Sequence, residues 1–280
     1  MTVPRLLTAT LWCTLVAPAA MGQIEDLTGW DFYRDPSDPG VNAAMTSSVA
    51  PNLAELNFIN DVDIPAAYDI GFSSVNANTA AAATSGYYFD ASSDFTIAIE
   101  FELTLTNPNG FVGLGLGIGE DRAGDNSAGI AFGVGTAGIS IGSFGAAATS
   151  DNSAITKFLS PSVAATGTYA GSLTVGYNAT TGDITVGAAG ASAGSTPLSP
   201  TGTATFTAAE LPDWTGADLL ASFFLRSDDP SLFSNWTGQT ANADFFNFTV
   251  VQGSATQVPE PASLALLGLG VLAISRCRRG

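Results

Sequence analysis

The sequence predicts an all-β protein, a single β-sandwich or jelly roll, carried between two short apolar ends. Three observations predict it. The periodic segments of the middle alternate apolar and polar residues at period two, the rhythm of a strand with one buried face, and not at helical spacing. The middle is rich in Gly, Ala, Ser and Thr, with turn signals at short intervals and no helical run between them. Its length, roughly 235 of the 280 residues, is enough for one ordinary hydrophobic core.

Taken in chain order, Arg5 precedes the apolar run Leu6 to Ala17, and small residues follow in Ala17-Pro18-Ala19-Ala20-Met21-Gly22. Charge, apolar core and small-residue site form the layout of a secretory signal peptide over residues 1–22, which implies the Sec translocon and signal peptidase as partners. Ala20 and Gly22 suit a cut before Gln23, and Ala17 and Ala19 suit one before Ala20. Cys13 follows the bulky Trp12, where a lipidated cysteine requires a small residue, so a lipoprotein is not expected.

Residues 23–252 form the expected exported domain. Phe95-Thr96-Ile97-Ala98-Ile99-Glu100-Phe101-Glu102-Leu103 alternates strictly and places Phe95, Ile97, Ile99, Phe101 and Leu103 on one buried face. Asn107-Pro108-Asn109-Gly110 then supplies a turn. Further strands are predicted at Phe111 to Ile118, Ala128 to Val134, Gly138 to Phe144, Tyr169 to Tyr177, Asp183 to Gly187, Thr203 to Thr207, Leu219 to Arg226 and Phe245 to Val251.

A linker is expected at residues 253–258. It leads to Pro259-Glu260-Pro261, the apolar run Leu264 to Ser275, and the tail Arg276-Cys277-Arg278-Arg279-Gly280. As a helix the apolar run covers only about 18 Å of a hydrocarbon core about 30 Å thick. It spans by recruiting Ala262, Ser263 and snorkelling arginines. Arg276, Arg278 and Arg279 belong on the cytoplasmic side, as does Arg5, with the middle outside. Cys13 and Cys277 are the only cysteines, so once both ends are removed no disulfide staples the domain.

The ordered combination of Pro259-Glu260-Pro261, a short transmembrane stretch and an arginine-rich tail resembles the PEP-CTERM sorting signal, here residues 259–280. That resemblance implies recognition by an exosortase, a membrane protease or transpeptidase of Gram-negative bacteria that make exopolysaccharide. It implies transient anchoring in the inner membrane, followed by sorting to the cell surface or the exterior, and nothing about the domain's activity. The hairpin Leu173 to Val186 and the closing Ala243 to Val250 are similar, at the level of pattern, to late strands of concanavalin A-like or laminin-G-like jelly rolls, which implies a fold only.

Charge and composition exclude several functions. Between Ile24 and Val258 lie 24 acidic residues and four basic ones (Arg34, Arg122, Lys157, Arg226), a net of 4 − 24 = −20. Nucleic acid is therefore not an expected partner. With no histidine, Ser-His-Asp and Cys-His catalysis and imidazole metal sites are excluded. Lys157 has Ala154 three residues before it and does not complete Ser-x-x-Lys.

The remaining motifs have weaker meaning. Gly133-Val134-Gly135-Thr136-Ala137-Gly138 matches GxGxxG, yet an alternating strand follows it, so a glycine-rich hairpin is expected and not a phosphate cradle. Gly113, Gly115, Gly117 and Gly119 share one strand face, either for close packing of a neighbour or for a ligand on a bare surface. Glu100 and Glu102 share a face about 6.6 Å apart, as in jelly-roll glycosidases with a Glu, Asp, Glu strand. Thr104 stands where the acid/base should be, so no catalytic residue is assigned, and a glycoside hydrolase is the alternative function.

No cofactor is required. A calcium ion is the candidate, at Asp121, Asp125 and Asn126 in Glu120-Asp121-Arg122-Ala123-Gly124-Asp125-Asn126, with Asp61, Asp63 or Asp228-Asp229 as added ligands. Trp214 and Trp236 lie in loop-like stretches where an indole either stacks on a sugar or anchors the core. The expected function is a non-enzymatic envelope or extracellular-matrix protein associating with polysaccharide.

Overall fold

A computed structural model describes residues 23–24, 26–35, 45–59, 68–106, 111–122, 127–135, 138–145, 167–193, 202–209, 214, 217–227 and 240–258. These are almost wholly strand: β1 (Gln23–Ile24), β2 (Asp31–Asp35), β3 (Met45–Ala50), β4 (Leu53–Ile59), β5 (Tyr68–Ser73), β6 (Tyr87–Asp90), β7 (Phe95–Thr106) and β8 (Phe111–Gly119). They continue with β9 (Ser127–Gly135), β10 (Gly138–Gly145), β11 (Gly167–Asn178), β12 (Asp183–Ala193), β13 (Gly202–Phe206), β14 (Asp218–Ser227), β15 (Thr240–Gln252) and β16 (Thr256–Gln257). Single 3-10 turns sit at Leu27–Gly29 and Ala80–Ala82.

Two sheets form a sandwich. The first runs β13-β12-β11-β7-β15-β4-β3, with β1 on β15; the second runs β10-β9-β8-β14-β5-β2, with β6 joining β14 and β16. The neighbours pair antiparallel, as hairpins and long returns between sheets require. The alternation of β7 becomes burial of Phe95, Ile97, Ile99, Phe101, Leu103 and Leu105, with Glu100 and Glu102 exposed on the opposite face. The inner faces interlock through aromatic rings. Phe101 of the first sheet meets Phe132 of the second at 5.1 Å between centroids, and Phe245 meets Phe223 at 4.7 Å. Trp30 bridges the layers, 5.1 Å from Phe223 and 4.8 Å from Phe248.

Each predicted strand is present, most of them longer by a residue or more at one end. The turn at 107–110 lies outside the described residues. β1 to β6 and β16 were not predicted. β3 is an edge strand with Thr46, Ser48, Val49 and Ala50 exposed, so it carries no apolar rhythm, and β4 presents only Ala54, Leu56 and Phe58 inward.

Gly115 of β8 and Gly71 of β5 serve close packing. The Phe224 ring lies on the outer face of the second sheet over Gly115, where an added Cβ would stand 2.3 Å from Phe224 Cζ and 2.9 Å from the Ile130 carbonyl oxygen. Tyr33 covers Gly71 in the same way, 2.7 Å from such a Cβ. Gly115→Val is expected to destabilise the domain by about 1–3 kcal/mol through overpacking, read as a lower urea midpoint. An unchanged midpoint would show that the ring moves aside freely.

The residues expected to be a linker, 253–258, belong to the fold. β16 pairs with β6, Thr256 opposite Tyr88 and Gln257 opposite Tyr87. The Val258 N–H donates to the Gly86 carbonyl at 2.8 Å. Val258 is 6% exposed and packs with Val75 and Leu220, flanked by Ala83 and Tyr88. Gly253 turns the chain at φ 80°, with Asp94 O and Phe95 where a Cβ would be. Sequence pattern missed this because a two-residue strand and one buried valine leave no period to read.

Candidate functional site

Cross-strand register assembles the outer face of the first sheet. Asp244 on β15 lies directly opposite Glu102 on β7 and Glu55 on β4, so three carboxylates from three neighbouring strands stand in one row. Cβ atoms of such opposed residues are about 4.5–5.5 Å apart. One step along the strands the row is Thr104, Asn242 and Asn57, and Thr168 of β11 continues it, 3.1 Å from Thr104 Oγ1. The Asn242 amide donates to Asn57 Oδ1, and Ser48 Oγ donates to Glu55.

These surroundings hold the Asp244 carboxyl above its ordinary range: burial is the largest cause, Glu55 and Glu102 add to it, and the Asn242 side chain pulls weakly the other way. Asp244 Oδ1 is buried without a hydrogen-bond partner. The folded state thus binds the Asp244 proton more tightly than the unfolded chain does. The contribution to stability is greatest below the unfolded pKa and is lost as pH rises through the raised folded one. Asp244→Asn is therefore expected to raise the melting temperature at pH 7 by roughly 2–4 °C, because a neutral amide carries neither the cost of burying the charge nor the repulsion from Glu55 and Glu102. The difference from the parent should vanish on acidification toward pH 4. A lower melting temperature in the variant at pH 7 would contradict this.

Glu100 is engaged differently. β15 bulges after Phe246, and Asn247 adopts φ 53°, a left-handed conformation that asparagine tolerates better than most residues. Asn52 Nδ2 donates to Asn247 Oδ1 (2.9 Å), the Asn247 N–H donates to Asn52 Oδ1 (3.1 Å), and Asn247 Nδ2 donates to Glu100 Oε2 (2.9 Å). This clamp fixes the bulge. Glu102 faces Asp244 and Glu100 faces Phe246, so the two glutamates of β7 have different partners.

The other predicted site residues fare unequally. Trp214, offered as a sugar-stacking residue, is corrected: it is 2% exposed, 6.4 Å from Tyr177 between ring centroids, and its carbonyl accepts the Ala217 N–H at 2.9 Å. An indole of that area is worth more inside the core than in water. Trp236 lies outside the described residues. Asp121 is half-buried and bridged to Thr79, whereas Asp125, Asn126, Asp61, Asp63, Asp228 and Asp229 lie outside the described residues. Among the described residues no group of three or more His, Cys, Asp or Glu is placed to hold a metal ion.

Among the described residues, Arg122 pairs with Asp31 at 2.8 Å and Arg226 with Asp69 at 3.3 Å near the second sheet, and Arg34 lies 4.9 Å from the Phe32 ring. The two outer faces are thus unlike: a carboxylate row on the first sheet, arginines and rings over glycine on the second.

At the C-terminal end, the described chain stops at Val258, and Pro259, Glu260, Pro261, Arg276, Arg278 and Arg279 lie beyond it. Residues 257–279 match the PEP-CTERM protein-sorting motif. The chain carries a PEP-CTERM sorting motif. It is accordingly an exported, exosortase-sorted protein, anchored transiently in the membrane on its way to the cell surface. The matched stretch begins at Gln257, inside β16, so the sorting motif starts within the folded domain. Among the described residues no helix is long and apolar enough to cross a membrane.

No curated protein matches the chain in sequence. Solved structures similar to it include the PL-14 alginate lyase from Aplysia kurodai, 10% identical, covering 79% of this chain and 90% of the lyase, TM-score 0.43. The winged bean acidic lectin complexed with methyl-α-D-galactose is 12% identical, covering 83% of this chain and all (100%) of the lectin, TM-score 0.42. Lectin II from Ulex europaeus is 11% identical, covering 80% and 93%, TM-score 0.41. These likenesses assign no activity.

Proposed function

We propose that the protein is a non-enzymatic component of the envelope or extracellular matrix whose sandwich associates with exopolysaccharide. Delivery begins with the Sec translocon and signal peptidase at residues 1–22 and ends with the exosortase. The sorting motif at 257–279 carries the reading, because it fixes the destination whatever the domain does there. The outer face of the first sheet supports the ligand class. It offers hydroxyls and amides in register, Thr104, Thr168, Asn242 and Asn57, which match the donor and acceptor pairs of sugar hydroxyls. A neutral polysaccharide fits better than a uronate chain, which would meet Glu55, Asp244 and Glu102. The test is binding of the purified protein to neutral and uronate glycans and to the host's own exopolysaccharide. Retention on none of them overturns the association.

One observation favours a second reading, a carbohydrate-active enzyme. Asp244, with its raised carboxyl pKa, lies directly opposite Glu102 on the neighbouring strand, so that two carboxyl groups with unlike surroundings share one face, the kind of pair that glycosidases use as acid and nucleophile. Sugar release from a glycan panel that disappears in Glu102→Gln and in Asp244→Asn would establish this reading and displace the first. No turnover in the parent retains the non-enzymatic one.

No cofactor enters either reading. Calcium in the loop 120–126 would raise the melting temperature by mass action, about 2.7 kcal/mol at a free concentration 100 times the dissociation constant. A larger rise with calcium than with magnesium at equal ionic strength, reduced in Asp121→Asn/Asp125→Asn, supports such a site. Equal rises for the two ions would leave a screened acidic loop.

A further inference from the structure

The seat of Val258 determines which part of the sandwich can approach the membrane. We propose that the uncharged end built from residues 70–89 and β16 is the face that the anchored protein lays against the phospholipid headgroups. The inference rests on the anchoring implied by the sorting motif and goes beyond it by orienting the domain.

Tether length is the first argument. The chain is held by the fold as far as Val258, through the β16 ladder, the Val258 N–H to Gly86 and burial against Val75 and Leu220. Only Pro259-Glu260-Pro261-Ala262-Ser263 separates it from the apolar run that begins at Leu264. Six Cα steps reach at most about 20–22 Å. Two prolines, each fixing φ, keep that connection stiff. The 13 residues of β15 alone extend about 43 Å at roughly 3.3 Å each. The tether is therefore shorter than the sandwich, and the end bearing Val258 is the one held at the bilayer.

Charge is the second argument, and it is independent of the first. From Ile70 to Phe89 the sequence contains no Asp, Glu, Lys or Arg, inside a domain of net −20. This stretch forms β5, the loop 74–86 and the start of β6, and it surrounds the Val258 seat. Asn76, Asn78, Ala81, Ala82 and Thr84 are exposed there. Asn76 ties the loop, accepting from the Thr84 and Ser85 N–H groups at 2.9 and 3.1 Å, so the surface is preformed. The bordering charges include Asp90, opposite Asp218 on β14, Asp69, which pairs with Arg226, Asp121, bridged to Thr79, and Arg122, which pairs with Asp31 and donates to the Val75 carbonyl. Elsewhere, on the first sheet, the row Glu55, Asp244 and Glu102 would be repelled by anionic lipid. The surface that the tether brings to the membrane is one that the membrane does not repel.

The test uses the full chain, with Cys13 and Cys277 changed to serine, reconstituted in vesicles of phosphatidylethanolamine and phosphatidylglycerol. A fluorophore is placed at Ala82→Cys, beside the seat, or at Thr46→Cys, on β3 near the opposite end of the first sheet. Lipids with a nitroxide on the headgroup should quench the first several-fold more than the second. Adding Val258→Asp should release β16, lengthen the tether and remove most of that difference, while circular dichroism shows the sandwich intact. Equal quenching at the two positions in protein that floats with the vesicles overturns this inference alone. Failure to float overturns the anchoring and the inference together.

Discussion

Phe223→Ala should cost the exported domain about 3–5 kcal/mol, a large part of the roughly 5–15 kcal/mol that holds a domain of this kind folded. Phe223 is fully buried at the junction of the sheets, 4.7 Å from Phe245, 5.1 Å from Trp30 and 5.6 Å from Phe72 between ring centroids. Truncation leaves a cavity lined by three rings, each fixed by its own strand or turn, which limits collapse into the space. Neither cysteine lies in the domain, so no disulfide limits the loss. The melting temperature should fall by about 10 °C or more. Phe224→Ala provides the contrast. That ring lies on the outer face over Gly115, half-buried, and its removal should cost clearly less. Equal losses in the two variants would mean that the sheets are not packed through Phe223.

The second large effect concerns sorting. Replacing Pro259, Glu260 and Pro261 together with alanine should stop processing without disturbing the sandwich, because the described fold holds the chain through Val258, one residue earlier. Full-length chain should accumulate in the membrane fraction, with loss from the cell surface approaching completeness. Circular dichroism and melting temperature of the purified variant should match the parent. Normal surface delivery of the variant would remove the motif from the account.

Much of the fold was legible because one face of each long strand is buried. β7 shows how: Phe95 to Leu103 alternates without exception, and the strand that forms buries every second side chain. Where burial is weak the signal disappears, as in β3, an edge strand whose Thr46, Ser48, Val49 and Ala50 are exposed. The site was half legible. Glu100 and Glu102 share a face by chain spacing alone, but the placement of Glu55 and Asp244 beside Glu102 depends on register among three strands distant in sequence, which no local pattern encodes. Trp214 shows the converse limit: its neighbours Asp213 and Thr215 read as loop, and its burial comes from packing against Tyr177 on another element. The sorting motif was fully legible, because a membrane enzyme reads it as local sequence.

The central claim is that the exported sandwich is released from its anchor by exosortase action on the sorting motif at 257–279. The most direct measurement is the intact mass of the mature protein from cells with and without active exosortase. With the enzyme, the mass should correspond to a chain that retains the sandwich through Val258 and lacks Arg276 to Gly280. Without it, those residues should remain. A mature protein that keeps Gly280 in cells with active exosortase would contradict the account.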